Sequence, residues 1–344
     1  MVIGKGSDIK PLLIDFHGVN NLTLPEMREL TDRHFEVKSY DSRITYDASS
    51  TVFVCNQYQY GIHKETIDRL IDRDYKIVFD NLLEGGPEHN EIMKDRVNVM
   101  QMVCIENQQP DNDSNYSHYN ISEAPTFIWM HDSRVFRGTA GDNQALFQRR
   151  TYCPGKKFLL LMRMQRTERD YIADNFKTLL EQNLYTYLHR DITLPEHHPK
   201  SAIGWDRSVN IEWYNDTAFS VAVETVVNPG PGKIFVTEKT YKPIQLGHPF
   251  MVIGCRGTLD FLQRNGFETF ENWFDESYDR IEDGRHRMNR VMEIAGQFDF
   301  SGYDSLTIQK TTHNHHHFYD QSVVQLMYDH QIITPILEFL ESNS

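Results

Sequence analysis

The chain has no run of about eighteen apolar residues, so no membrane-crossing helix is expected. Its opening stretch, MVIGKGSDIKPLLIDFHG, lacks the charged leader, long apolar core and small-residue cleavage site of a secretory signal. Cysteine is sparse: Cys55, Cys104, Cys153 and Cys255 stand far apart, with no CxxC spacing. That argues against zinc and disulfide frameworks and for free thiols in a reducing compartment. A cytoplasmic protein is the expectation, in the host cytoplasm if it is viral. Neither GxGxxG after a strand nor GxxxxGK[ST] occurs, which argues against a dinucleotide-dependent dehydrogenase and a P-loop kinase. PGPGK at 229–233 has the glycines of a phosphate loop, but two prolines remove amide donors such a loop needs.

What is present describes a globular protein. Apolar residues make up 39% and aromatics 12% of the 344 residues, a length that suggests two domains. The formal net charge of -14 argues against coating nucleic acid by bulk attraction. Positive charge is nonetheless clustered, as in RMQRTER (163–169) and EDGRHRMNR (282–290).

PLLIDF, TVFVCNQY, YKIVFDNLL and VNVMQMVCI read as strands, with LPEMRELTDRHF and KETIDRLIDRDY as amphipathic helices among them. NQQPDNDSNYSHYNISEAP reads as a polar loop before a strand candidate, TFIWMHD. After a break near RGTAGDNQALFQRRTYCPGKK, KFLLLM restarts the pattern, followed by one helix over RDYIADNFKTLLEQN. YTYLHR, AFSVAVET, KIFVTEKT and PFMVIG supply further strands or strand ends, with short helices over TYKPIQLG and TLDFLQRNG. The tail SVVQLMYDHQIITPILEFLES is helical, with a break expected at Pro335. Such alternation implies parallel sheets covered on both faces. The expected domains are 1–152, 153–319 and a helical return, 320–344, to the first.

Ligands of open parallel sheets sit beyond the carboxyl ends of the strands. This selects Asp15, His17, Asn56, Asp80, Glu84, His131 and Asp132 in the first half, and Arg163, Glu224, Glu238 and Lys239 in the second. Arg163, Arg166 and Arg169 lie where a strand hands over to a helix, where guanidinium groups and free amides suit a diphosphate. The plainer reading is a solvated helix start paired with Glu168 and Asp170. Glu238 and Lys239 could hold a ribose and a phosphate, or be a surface ion pair. DRD at 72–74 and DND at 111–113 read better as solvated charge than as metal ligands. HNHHHFY at 313–319 lacks a carboxylate or cysteine to complete a zinc site. No metal is expected.

FSVAVET together with KIFVTEKTYKPIQLGHPFMVIG resembles the donor-binding half of fucosyltransferase-like glycosyltransferases. Glu224 matches that family's strand-end glutamate, Glu238 and Lys239 its EK pair, and Gly247 with Pro249 its G-x-P phrase. The resemblance spans residues 157–256. TYKPIQLGHPF with DESYD also resembles transferases encoded by large tailed phages. The implied fold is α/β, two Rossmann-like domains facing across a cleft (GT-B). The implied roles are Glu238 on the nucleotide ribose, Lys239 on the pyrophosphate and Arg169 as a further phosphate ligand, with Arg163 and Arg166 as substitutes.

The implied donor is a nucleoside-diphosphate sugar and the implied acceptor a hydroxyl of a glycan or small molecule, reached without a metal and with inversion. Asp15 and Glu84 lead the candidates for the base, with His17, Asp80 and Asp132 on the acceptor side. An alternative acceptor is a hydroxymethylated base in DNA, for which RRTYCPGKK (149–157) is the obvious basic contributor. A third reading, from another class, is an inactive sugar-nucleotide or glycan-binding module.

Overall fold

Runs of β-branched and aromatic residues become strands wherever both of their faces can be covered. The computed structural model describes residues 10–16, 30–55, 57–81, 96, 98–103, 120–123, 155–194, 211–228 and 233–342. The chain divides into two compact units. One takes Met1–Cys104, Gln108–Ile128 and Gln325–Ser344, and the other Ile105–Asn107 and Trp129–Val324. Residues 325–344 are therefore grouped with the first unit.

The first unit is built on six strands: β1 (Leu12–Asp15), β2 (Glu36–Ser39), β3 (Thr51–Cys55), β4 (Lys76–Asn81), β5 (Val99–Val103) and β6 (Asn120–Glu123). They pair in the order β2-β1-β3-β4-β5-β6, every pairing parallel. All five residues of β3 are buried, as the unbroken run TVFVC requires of a central strand. Helix α1 (Gln57–Ile71) follows it, and Ile67, Leu70 and Ile71 pack with Phe53, Ile77 and Val99 into one core.

Two strands depart from the sequence reading. β2, EVKS, buries only Val37, and β6, NISE, lies inside the stretch read as a polar loop. Both are edge strands, held by backbone pairing on one side, so neither needs an apolar pattern. TFIWMHD lies outside the described residues.

The second unit carries β7 (Lys156–Met162), β8 (Leu184–Tyr187), β9 (Thr217–Val223) and β10 (Phe250–Ile253), all parallel in the order β10-β9-β7-β8. The single helix expected over 169–183 is two, α2 (Thr167–Asn175) and α3 (Lys177–Glu181). They are interrupted at Phe176, whose φ and ψ are -118 and 22. α4 (Ile211–Asn215) leads into β9, and α5 (Glu238–Gln245) into β10. KIFVTEKT is not a strand of this sheet. Ile234, Phe235 and Val236 are buried, but only Ile234 makes an isolated bridge, and the helix starts at Glu238. α6 (Thr258–Arg264), α7 (Gly284–Gln297) and α8 (Ser305–Tyr319) complete the unit. Cys55 and Cys255 are buried free thiols, while Cys104 and Cys153 lie outside the described residues.

In each sheet the first strand lies inside the order, so the chain leaves it in one direction and later returns on the other side. That reversal opens a crevice beyond the carboxyl ends, between β1 and β3 in one unit and between β7 and β9 in the other.

The tail does not break at Pro335. α9 (Gln321–Tyr328) runs through a π-helical turn, Asp329–Ile333, into α10 (Thr334–Glu341), with the proline in its first turn. There the missing amide costs least, and the wider turn absorbs the ring. Lys76, 6% exposed at the start of β4, donates to the carbonyls of Phe339 and Leu340 (2.5 Å for the latter), closing the carboxyl end of α10. Its Nζ also lies over the Phe339 ring, 5.3 Å from the centroid. Replacing Lys76→Met keeps the packing and removes both bonds. The expected result is a loss of about 1–3 kcal/mol in urea unfolding and faster proteolysis of the last helix. An unchanged midpoint would contradict this role.

Candidate functional site

The crevice of the second sheet holds a cleft of about 490 Å³. One wall is Gln165 to Glu168 with Asp170, at the start of α2, and the other is Thr225 to Asn228, the loop after β9. Arg166 is the N-cap of α2, extended at φ -150 and ψ 146, and no side chain caps the helix. The first-turn N–H groups therefore lack the partner that a Ser or Asp would supply, and they carry the positive end of the helix dipole.

The three arginines separate. Arg166 is exposed on the cleft wall. Arg169 is 3% exposed, donates Nη1 to Met164 O at 3.0 Å, and has an Nε with no hydrogen-bond partner among the described residues. Burial lowers its pKa, opposed by attraction from Glu224 and, more weakly, Glu238, while Arg166 adds to the lowering. A buried guanidinium with an unused donor beside an uncapped helix start is suited to an anion. Arg163 is half-buried and follows β7 directly, its carbonyl taken by the His189 amide at 3.1 Å.

Asp170 does not neutralise these arginines. Tyr187 donates to it at 2.8 Å, Gln165 at 3.1 Å, and Arg190 pairs with it at 2.6 Å. Those hydrogen bonds hold its carboxyl below the usual range. Arg190 also reaches Asp174. The sequence reading passed over Arg190, yet it stands just past the end of β8, where the same carboxyl-end rule points.

The VTEK turn is organised by Glu224, which is 1% exposed. Its Oε1 accepts from Thr237 N (3.0 Å) and Thr240 Oγ1 (2.6 Å), and its Oε2 from Thr237 Oγ1 (2.6 Å). Thr237 is the N-cap of α5, accepting from Lys239 N at 3.4 Å. Glu238 and Lys239 open the helix, and Lys239 Nζ lies 2.8 Å from Glu238 Oε1 and 3.2 Å from Thr237 Oγ1. Glu224 is thus a support beneath the pair rather than a group facing solvent. In the G-x-P phrase, Gly247 takes φ 57, a left-handed helix exit that favours glycine. His248 Nδ1 meets Ser220 Oγ at 2.8 Å and its Nε2 lies 2.9 Å from Thr217 O, fixing the re-entry into β10.

In the first unit, Asp15 ends β1 at the crevice and is half-buried, its carbonyl accepting from Tyr40 N at 2.7 Å. Asp80 lies within β4, in register with Met102, because the strand continues to Asn81. His17, Asn56, Glu84, His131 and Asp132 lie outside the described residues.

Other singled-out motifs have structural partners. Asp72 of DRD pairs with Arg96 at 2.7 Å, and Asp74 takes a left-handed turn position at φ 60. DND lies outside the described residues. His313 and His317 stack at 5.6 Å, and their Nε2 atoms bond Gly266 O and Asn265 O, both at 2.8 Å, closing the end of α6. His315 Nδ1 bonds Gln245 O at 2.7 Å. No group of three metal-ligating residues stands together among the described residues. Of RRTYCPGKK, Lys156 and Lys157 donate to the carbonyls of Gln182 and Gly296, both at 3.0 Å.

No protein-family model matches the chain, and no curated protein matches its sequence. Among solved structures, it is similar to a crystal structure of an alpha1,3-fucosyltransferase, at a TM-score of 0.52 and 10% identity, covering 100% of this chain and 94% of that one. A second alpha1,3-fucosyltransferase structure, with GDP-fucose, aligns at a TM-score of 0.51 and 9% identity with the same coverage. The likeness is one of fold. The protein is α/β, with two Rossmann-like parallel-sheet units.

Glu224→Gln replaces an acceptor with an amide that faces two threonine donors and an N–H. The expected loss of folding stability is about 2–4 kcal/mol, read from urea denaturation. A change below about 0.5 kcal/mol would show that the carboxylate does not hold the turn.

Proposed function

We propose that the protein is a glycosyltransferase that moves a sugar from a nucleoside diphosphate to an acceptor hydroxyl. The observation that carries this reading is the uncapped start of α2 on a switch-point cleft, with Arg166 on the wall and the unsatisfied Nε of Arg169 close behind. These groups would receive the diphosphate, with Lys239 as a point charge and Glu238 accepting from ribose hydroxyls. As the glycosidic bond breaks, negative charge builds on the leaving diphosphate. Cations already fixed in place stabilise that charge without reorganisation.

This arrangement needs no metal. The acceptor proton would go to a carboxylate or imidazole of the first unit, with attack opposite the leaving group and inversion at the anomeric carbon. Asp15, at the crevice of that unit, is the leading described candidate, beside Glu84, His17, Asp80 and Asp132. The acceptor class is a glycan or a small molecule. A fold neighbour solved with GDP-fucose makes GDP the first nucleotide to try.

The test is a thermal-shift series with GDP, UDP, ADP and CDP. A ligand at one hundred times its Kd adds about 2.7 kcal/mol of stability. One of the four is expected to raise the melting temperature, undiminished by a chelator. Arg166→Ala, at an exposed position, and Lys239→Ala, at a partly buried one, should each weaken binding about tenfold. Absence of any shift with all four would sink the proposal.

A further inference from the structure

The loop forming the far wall of the cleft is fastened from beneath by a buried cation. Arg287, on α7, is 1% exposed, and its hydrogen bonds go to backbone carbonyls. Nε donates to Gly254 O at 3.0 Å, Nη1 to Ile281 O and to Glu282 O (3.2 Å for the latter), and Nη2 to Val227 O at 2.5 Å. A second inward bond runs from Cys255 Sγ to Val226 O at 3.5 Å. The packing below is close: a Cβ on Gly284 would meet Asn228 Cβ at 3.3 Å and Val227 Cγ1 at 3.4 Å. Burying a guanidinium costs more than filling the same space with an apolar side chain, so its use here points to what it holds.

In a trans peptide the C=O and the following N–H point in opposite directions. The carbonyls of Val226 and Val227 are drawn down to Cys255 and Arg287. The amides of the next residues, Val227 and Asn228, therefore point away from Cys255 and Arg287, and both residues line the cleft. Neither N–H makes a hydrogen bond among the described residues.

We infer that the N–H groups of Val227 and Asn228 form a two-amide nest for an anion on the wall opposite α2, and that Arg287 is the positioning residue that sets it. This rests on the reading of the cleft as a diphosphate site and deepens it: one phosphate meets the α2 amides and the other the nest. Arg287 acts through the carbonyl it grips and does not touch the ligand.

The test follows backbone amide resonances of the isotope-labelled full chain during titration with inorganic pyrophosphate. Val227 and Asn228 should move together with Thr167 and Glu168, at one common Kd. Asn228→Pro, which deletes one N–H at an exposed position, and Arg287→Lys, which keeps the charge but not the fork, should each weaken pyrophosphate about tenfold. Both are measured well below their melting temperatures. A purely architectural Arg287 would lower melting and leave the affinity unchanged, which overturns the inference. Response of the α2 amides alone also overturns it and leaves the diphosphate reading standing. Silence on both walls removes the two together. If Arg287→Lys does not fold, Asn228→Pro decides by the same criterion.

Discussion

The carboxylate of Glu224 is the interaction on which the second unit turns. It closes β9, accepts three hydrogen bonds from Thr237 and Thr240, and so fixes the first turn of α5 to the end of a central strand. Its field also reaches Arg169, whose charge burial disfavours. One buried acid thereby sets the helix start that carries Glu238 and Lys239 and supports the cation behind the cleft. Each bond to a charged acceptor contributes roughly 1.5–3 kcal/mol.

Both units use one topological device and give it different chemistry. Each has its first strand inside a parallel sheet, so each has a crevice at its carboxyl edge. In the second unit that edge collects guanidinium groups and uncapped amides. In the first it ends on Asp15, near an aromatic group in which Phe16 and Tyr40 stack at 4.7 Å. The chain's net charge of -14 says nothing of this, because a cleft responds to its own walls before the distant surface.

The long buried strands were legible because burial on both faces demands an unbroken apolar run, as in TVFVC and KFLLLM. The edge strands EVKS and NISE were not, since backbone pairing alone makes no side-chain pattern. IFV at 234–236 misled in the other direction: it is as buried as a strand but lacks a ladder, and burial is all that hydrophobicity encodes. At the site, the clustered charge pointed to Arg166, on the cleft wall, and to the buried Arg169. The carboxyl-end rule pointed to Arg163 and Glu224, which do follow β7 and β9, and to Glu238 and Lys239, which instead open α5 after a segment that is no strand. It did not reveal that Glu224 faces inward to two threonines, nor that Asp170 belongs to Arg190, because partners brought together by folding leave no spacing in the chain. Arg287 was visible only as part of a basic cluster.

The most direct measurement is a crystal structure of the protein with GDP bound. The expected result is a diphosphate seated at the start of α2, with a phosphate oxygen within hydrogen-bonding distance of the Thr167 or Glu168 amide and of Arg166 or Arg169. A nucleotide bound elsewhere, with that helix start and both arginines untouched, would contradict the central claim.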